Sequence, residues 1–382
     1  MSIRVLSIFG TRPEAVKMAP VVWALARTPG ITAQVCVTAQ HRQMLDQVLN
    51  LFDIVPDVDL DLMRPDQTLA GLTAAIFTHL DPVLVKLKPD WILVQGDTTT
   101  VMASSLAAFY RRIRVGHVEA GLRTADKWQP FPEEINRRVA SVIADLHFAP
   151  TEQSRQNLLR EGIPAENVLV TGNPVIDALQ TVAELSPTPE ITALLDTIGL
   201  PQQATPGGPR LILVTAHRRE NFGQPIENIC AALRQLAETY GSTLRIVYPV
   251  HLNPNIQEPV YRLLDGIPNI FLLPPLDYQP MVHLMKRSTL VLTDSGGLQE
   301  EAPGLGVPVL VLREVTERPE GVQAGTVRLV GTDTAEIVLA ARHLLDEPAA
   351  HSAMAQAINP YGDGKAAGRI VKAILENSLS DR

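Results

Sequence analysis

Short apolar, β-branched runs alternate with longer stretches of helical period along the chain. In the first half the runs are Arg4 to Phe9, Gln34 to Thr38, Trp91 to Gln95, Arg114 to Val118, Leu146 to Ala149 and Val168 to Thr171. They are apolar without a polar alternate face, which predicts strands covered on both sides. Between them, Ala19 to Arg27, Gln43 to Leu51 and Thr100 to Tyr110 repeat at helical spacing. That alternation predicts a parallel sheet with helices on both faces.

The pattern pauses at Ser186-Pro187-Thr188-Pro189 and Pro206-Gly207-Gly208-Pro209, which bracket one short helix. A second series then begins, with strands expected at Leu211 to Thr215, Arg245 to Tyr248, Ile270 to Leu273, Thr289 to Thr293, Pro308 to Leu312 and Thr326 to Val330. The expected organisation is a Rossmann-like domain over 1–185, a linker over 186–208, and a second Rossmann-like domain over 209–360. A C-terminal helix within 361–382, apolar at Ile370, Ala373 and Ile374, is expected to pack back on the first domain. The fold class is α/β, two doubly wound domains facing a cleft. Ligands of such sheets bind beyond the carboxyl ends of the strands.

Composition narrows the partners. A chain of 382 residues exceeds one ordinary core. Its 33 basic and 41 acidic residues give a net charge of −8, which argues against bulk nucleic-acid or anionic-membrane binding. No apolar run is expected to approach the ~20 residues of a membrane span. The first residues read as a strand, not a leader, so a cytoplasmic placement is expected. Cys36 and Cys230 read as buried reduced thiols, and two cysteines so spaced make neither a disulfide nor a zinc site.

Candidate chemistry gathers where strands end. Gly10-Thr11-Arg12-Pro13-Glu14-Ala15-Val16-Lys17 joins a strand to a helix, with a proline at a favoured first-turn position. A plain βα turn and an anion site, with Arg12 and Lys17 adding charge, both fit. No Gly-x-Gly-x-x-Gly follows any strand, which counts against a dinucleotide of the usual kind, and there is no Gly-Lys-Ser/Thr loop. Asp97, in Gln95-Gly96-Asp97-Thr98-Thr99-Thr100, either caps the next helix or points into the expected cleft as an ionisable group. Glu119, in His117-Val118-Glu119-Ala120-Gly121-Leu122-Arg123-Thr124, either pairs with Arg123 or works on substrate. Glu133 with Arg137, and Glu134 with Arg138, are i,i+4 pairs. Asp97, Glu119 and Glu133 all fall at turns of one sheet, which makes them a candidate acid–base cluster.

In the second half, His217-Arg218-Arg219-Glu220-Asn221 ends a strand in a way suited to phosphate binding or proton transfer, and Tyr248-Pro249-Val250-His251 ends another. The sharpest signal is Thr293-Asp294-Ser295-Gly296-Gly297-Leu298-Gln299-Glu300-Glu301. Glycines there let backbone approach a ligand, and a helix start presents N–H groups to phosphate oxygens. Glu301, one turn in, suits ribose hydroxyls. Arg313 to Glu320 adds further charge.

In order and spacing, these segments resemble the non-hydrolysing UDP-N-acetylglucosamine 2-epimerases along nearly the whole chain. The tail Asn359-Pro360-Tyr361-Gly362-Asp363-Gly364 fits as well. The resemblance implies a GT-B type fold with the active site between the domains. It implies reversible conversion of UDP-GlcNAc to UDP-ManNAc, with no NAD, other cofactor or metal. Asp97, Glu119, Glu133 and His217 match the family's catalytic positions. Arg12, Lys17, Ser295, Gly296, Gly297, Glu301 and Arg318 are implied to hold the substrate. Leu276 and Met281 are implied beside the uracil, where some relatives carry Gln and Phe. Gln40, Gln43, Arg218 and His251 match candidates for a second, activating UDP-GlcNAc. A homodimer serving cell-surface polysaccharide synthesis, with no nucleic-acid or membrane partner, is also implied. The rival readings are a GT-B glycosyltransferase, a 2-epimerase of a decorated UDP-amino sugar, a hydrolysing relative and a silent nucleotide-sugar sensor.

Overall fold

The apolar runs form two wholly parallel sheets. The computed structural model describes residues 2–39, 42–64, 66–124, 126–200 and 207–380, apart from the side chains of 43, 379 and 380. In the first sheet, β1 (Ile3–Phe9), β2 (Ile31–Val37), β3 (Val58–Asp59), β4 (Trp91–Gln95), β5 (Arg114–Val118), β6 (Leu146–Ala149) and β7 (Val168–Val170) lie in the order β3-β2-β1-β4-β5-β6-β7. The second comprises β8 (Arg210–Thr215), β9 (Leu244–Pro249), β10 (Ile270–Leu273), β11 (Leu290–Thr293), β12 (Val309–Val311) and β13 (Val327–Leu329). Its order is β10-β9-β8-β11-β12-β13. Each order reverses direction once, between β1 and β4 and between β8 and β11. There the loops leaving neighbouring strands part and open a crevice, the usual ligand position of doubly wound sheets.

The chain divides into two compact units, Met1–Ala178 with Tyr361–Arg382, and Leu179–Pro360. Burial explains the strands. All five residues of β4 and all four of β6 and β11 are buried, as parallel strands between helix layers require. In the first unit Leu6, Ile8, Ile92 and Val94 pack on Leu72, Ile76, Leu80 and Leu84 of the helix Leu69–Leu87. In the second, Ile212, Val214, Ile246 and Leu292 pack with Ile229, Leu233 and Leu236 of the helix Gln224–Tyr240.

Three elements depart from the sequence pattern. β3 has two residues, too few to leave a periodic signal. The first helix runs Arg12–Ala26 and so starts earlier than the apolar repeat. Its start is set by a capping box, in which the Thr11 side chain accepts from the Glu14 N–H and Glu14 reaches back to the Thr11 N–H. The helix Leu69–Leu87 is, by length and composition, apolar enough to cross a membrane, contrary to the expectation that no run comes close. Its apolar character has a local reason: it is a crossover between parallel strands, and its Leu72–Ile76–Leu80–Leu84 stripe is buried in the core.

The helix Ala366–Ser380 belongs to the first unit. Asp177 receives the N–H groups of Ala366 and Ala367 at 3.2 and 2.9 Å, satisfying two donors of the helix start. Trp91 donates its indole N–H to Ser378 at 2.9 Å, and Ile370 and Ile374 are fully buried.

Two buried histidines, His117 and His147, are direct register partners on β5 and β6. Burial pulls His117 down to about 4, against a hydrogen bond to the Gly96 carbonyl. Burial, with His117 beside it, pulls His147 down to about 3. Both are neutral in the folded protein at pH 7. An unfolded histidine takes up its proton near pH 6.5. Between pH 6.5 and about 4 the unfolded chain therefore binds the extra protons, and stability falls as pH falls, by up to about 1.4 kcal/mol per pH unit per histidine. Urea unfolding across that window should show His147→Leu losing stability less steeply than the parent; parallel curves would remove His147 from the account.

Candidate active site

At the first unit's switch point the β1 turn is filled by the protein itself. Glu14 is buried, and its carboxylate accepts the N–H groups of Gly10 and Thr11 at 2.8 and 2.7 Å and the Thr98 hydroxyl at 2.6 Å. Burial pushes the Glu14 carboxyl up, and these hydrogen bonds oppose that rise. The N–H donors of Gly10 and Thr11, the basis of an anion site there, are thus spent on an internal carboxylate. Gly10 is required by close approach: a Cβ there would overlap the hydroxyl of Thr38. The Arg12 guanidinium, half-buried, makes no hydrogen bond or ion pair among the described residues.

Lys17, on the same helix, reaches the end of β5. Its ammonium lies 2.8 and 2.6 Å from the two carboxylate oxygens of Glu119. Gln95 donates to Glu119 from the end of β4, and Asn173 donates at 3.2 Å. Glu119 is only 6% exposed and has φ +61°. Such a backbone is uncommon for a residue other than Gly, Asn or Asp, and strain of this kind concentrates at functional sites. Arg123, one of the two partners weighed for Glu119, instead holds Glu161 at 2.7 Å.

Asp97 does not cap the following helix; Thr98 does, accepting from the Val101 N–H. The Asp97 carboxylate receives Arg137 at 2.5 Å, and its carbonyl receives Asn136 at 2.9 Å. Arg137 also lies 3.5 Å from the fully buried Glu134, which Arg138 meets at 2.8 Å. The expected Glu134–Arg138 pair therefore forms, whereas Arg137 turns to Asp97 and Glu134 and not to Glu133. Glu133 opens the helix Glu133–Ile143, and its Oε2 is buried without a hydrogen-bond partner among the described residues. The loops themselves are tied together: the Gly96 N–H donates to the Val118 carbonyl at 3.0 Å, and His117 Nε2 donates to the Gly96 carbonyl at 2.7 Å. The segments carrying Asp97, Glu119 and Glu133 are thus joined by hydrogen bonds.

In the second unit the switch point turns on Asp294, which is fully buried. Its Oδ2 accepts the N–H groups of His217 and Arg218 at 2.7 and 2.8 Å and the Asn221 amide at 2.9 Å. His217 Nδ1 lies 3.3 Å from Asp294 Oδ1. The His217 ring also stacks on His251, with centroids 5.6 Å apart. Burial lowers the His217 pKa, Asp294 opposes that, and His251 and Arg218 add to it.

Beside this pair, the helix Gly296–Gly304 starts with no side-chain cap from Ser295. Its first residue is flanked by Arg218, Arg318 and Glu317, each within 4 Å of where a Gly296 Cβ would stand. Glu317 is pulled down to about 2, its burial outweighed by Arg318 and Arg313. Uncapped N–H groups, two glycines and two guanidiniums suit a phosphate group. Glu301 accepts the Tyr278 hydroxyl at 2.9 Å, and Arg318 holds Glu300 at 2.5 Å. Leu276 and Met281 are half-buried; Met281 lies on the helix Tyr278–Arg287 and Leu276 in the loop before it. Arg218 meets Glu317 at 3.2 Å, and the exposed His251 stands against His217. Gln40 and the side chain of Gln43 lie outside the described residues.

Gln95, Arg137, Asn173 and Asp294, which hold the candidate groups, are not among the candidates that the sequence pattern singles out. Each had a signal: Gln95 is a polar end to an apolar strand, and Asp294 follows another. Asn173 and Arg137 carried less, because their partners are remote in sequence.

Two parallel sheets of reversed order, with polar clusters at both switch points, define an α/β enzyme of the two-Rossmann, GT-B type. The profile of the UDP-N-acetylglucosamine 2-epimerase family matches residues 23–375. The chain belongs to that family. It is 55% identical over 378 residues to the UDP-N-acetylglucosamine 2-epimerase of Salmonella typhimurium, covering 99% of this chain and 100% of that one. The crystal structure of UDP-GlcNAc 2-epimerase from Neisseria meningitidis bound to UDP-GlcNAc superposes with a TM-score of 0.86 at 51% identity, covering 98% and 100% of the two chains. The Methanocaldococcus jannaschii enzyme in complex with UDP-GlcNAc and UDP gives 0.78 at 32%, with the same coverage.

The Lys17–Glu119 pair is testable as a unit. In a double-mutant cycle of Lys17→Met and Glu119→Gln, urea unfolding should give a coupling of about 2 kcal/mol, since losing one partner strands the other. Strictly additive losses would show that the two do not depend on each other.

Proposed function

We propose that this protein inverts C2 of UDP-N-acetylglucosamine, interconverting it with UDP-N-acetylmannosamine as a non-hydrolysing epimerase. The observation that carries this reading is the end-to-end likeness to an epimerase crystallised with UDP-GlcNAc. The local chemistry agrees with it. A cluster of carboxylates on one unit suits proton exchange, and an uncapped helix start with arginines on the other suits a diphosphate.

The steps follow from the acidity of the substrate. The C2 proton is weakly acidic, so its removal is coupled to loss of a good leaving group. A carboxylate among Asp97, Glu119 and Glu133 takes the proton from C2. The C–H electrons form the C1=C2 bond, and the C1–O bond breaks with its pair leaving on UDP. The result is 2-acetamidoglucal and UDP. Protonation of C2 on the opposite face and return of the UDP oxygen to C1 complete the epimer, so atoms and charge balance without a redox step.

Ser295, Gly296, Gly297 and Arg318 hold the diphosphate as charge develops on it, with Arg12 in support. His217 exchanges a proton with the leaving oxygens. Glu301 takes the ribose, and Leu276 and Met281 flank the base. Lys17 keeps Glu119 oriented, a role its short contacts favour.

Proton NMR of the protein with UDP-GlcNAc in D₂O tests the reading. UDP-ManNAc signals should appear, with deuterium entering C2 of both sugars. Glu119→Gln should slow both by about 10²-fold or more. A substrate that keeps its C2 proton, or release of free sugar, would overturn the reading in favour of a transferase or a hydrolysing enzyme.

A further inference from the structure

Asp294 carries more hydrogen bonds than a loop tie needs, and one of its oxygens is not part of that tie. Oδ2 accepts three donors, the N–H groups of His217 and Arg218 and the Asn221 amide. Oδ1 is buried and has no hydrogen-bond partner among the described residues. It faces His217 Nδ1 at 3.3 Å, close enough for an ion pair but not aligned for a hydrogen bond. An unpaired carboxylate oxygen in a buried position is costly, and a small rotation of the imidazole would pair it. Contacts of this kind are commonly long in an unliganded site and tighten with substrate.

We infer that Asp294 is the positioning residue for His217: it holds the imidazole as the Nδ1–H tautomer and leaves Nε2 as the nitrogen that exchanges a proton with substrate. The inference rests on the reading that His217 acts in the reaction. Among the described residues of this unit, three charged or titratable groups face the ring. Asp294, after β11, favours the imidazolium. His251, after β9, and Arg218, next in the chain, disfavour it. Asp294 alone among them is placed on a ring nitrogen, so it sets both tautomer and charge.

The carboxylate geometry makes Asp294→Asn an informative variant. The three donors around Oδ2 demand an acceptor, so the amide oxygen takes that side and preserves the loop. The amide NH₂ then faces His217 Nδ1 and makes that nitrogen an acceptor. The imidazole is forced into the Nε2–H tautomer, the inversion that disables an aspartate-oriented histidine by about 10⁴-fold in a serine protease.

The experiment is long-range ¹H–¹⁵N NMR of the full-length protein with a pH profile of turnover. The parent should show Nδ1–H at His217 and the variant Nε2–H, with kcat down by about 10²-fold or more and KM for UDP-GlcNAc little changed. The profile limb assigned to His217 should move to lower pH, because the supporting charge is gone. An unchanged tautomer with turnover within about twofold of the parent would overturn the inference. His217→Gln separates the two claims. If it retains activity, the role of His217 itself fails; if it is inactive while Asp294→Asn is not, only the positioning role fails.

Discussion

A buried carboxylate at each switch point organises the loops around it. Parting loops leave backbone N–H groups facing inward with no strand to pair them, and buried donors must find acceptors. Glu14 supplies one for Gly10 and Thr11 in the first unit, and Asp294 supplies one for His217 and Arg218 in the second. The backbone that carries several of the candidate groups is placed by these contacts. Glu14 fixes the start of the helix that carries Arg12 and Lys17. Asp294 fixes the backbone of His217 and Arg218 and the entry to the Ser295-Gly296-Gly297 turn.

The two carboxylates leave their units with opposite characters. In the first, the position where a Rossmann fold would grip a pyrophosphate is already occupied by Glu14, and what remains is a group of ionisable side chains held by Lys17, Gln95, Asn173 and Arg137. In the second, Asp294 sits beneath the loop, and the following helix start stays uncapped. One sheet plan thus yields a cluster of paired carboxylates in one copy and an uncapped helix start flanked by arginines in the other. The difference comes from whether the acid stands four residues beyond its strand-ending glycine, inside the helix, or directly after the strand.

Much of the fold was legible because parallel strands are long apolar runs, and β4, β5, β6 and β10 fall on the residues expected from the sequence. β3 was not, since two residues carry no period, and the early start of the first helix lay in a capping box instead of its apolar repeat. Among the candidate site residues, the legible part was the set of polar side chains ending apolar strands: Asp97, Glu119, His217 and Ser295. Their partners were not legible. Glu119 meets Lys17 and Asn173, and Asp97 meets Arg137, across distances in sequence that only the sheet order closes. Local spacing offers Arg123, four residues on, as one partner for Glu119, but Arg123 is drawn to Glu161.

The position of the last helix has a consequence for how the molecule is made. Ile370 and Ile374 fill the core of the first unit, Ser378 receives Trp91, and Asp177 waits for the N–H groups of Ala366 and Ala367. A ribosome delivers that helix only after the whole second unit has been synthesised. Domains generally fold as units and in order of emergence, yet here the unit that emerges first is completed last. Until then its partly formed core exposes the apolar groove that the helix will cover, so the nascent chain passes through a stage in which the second unit can finish folding before the first does.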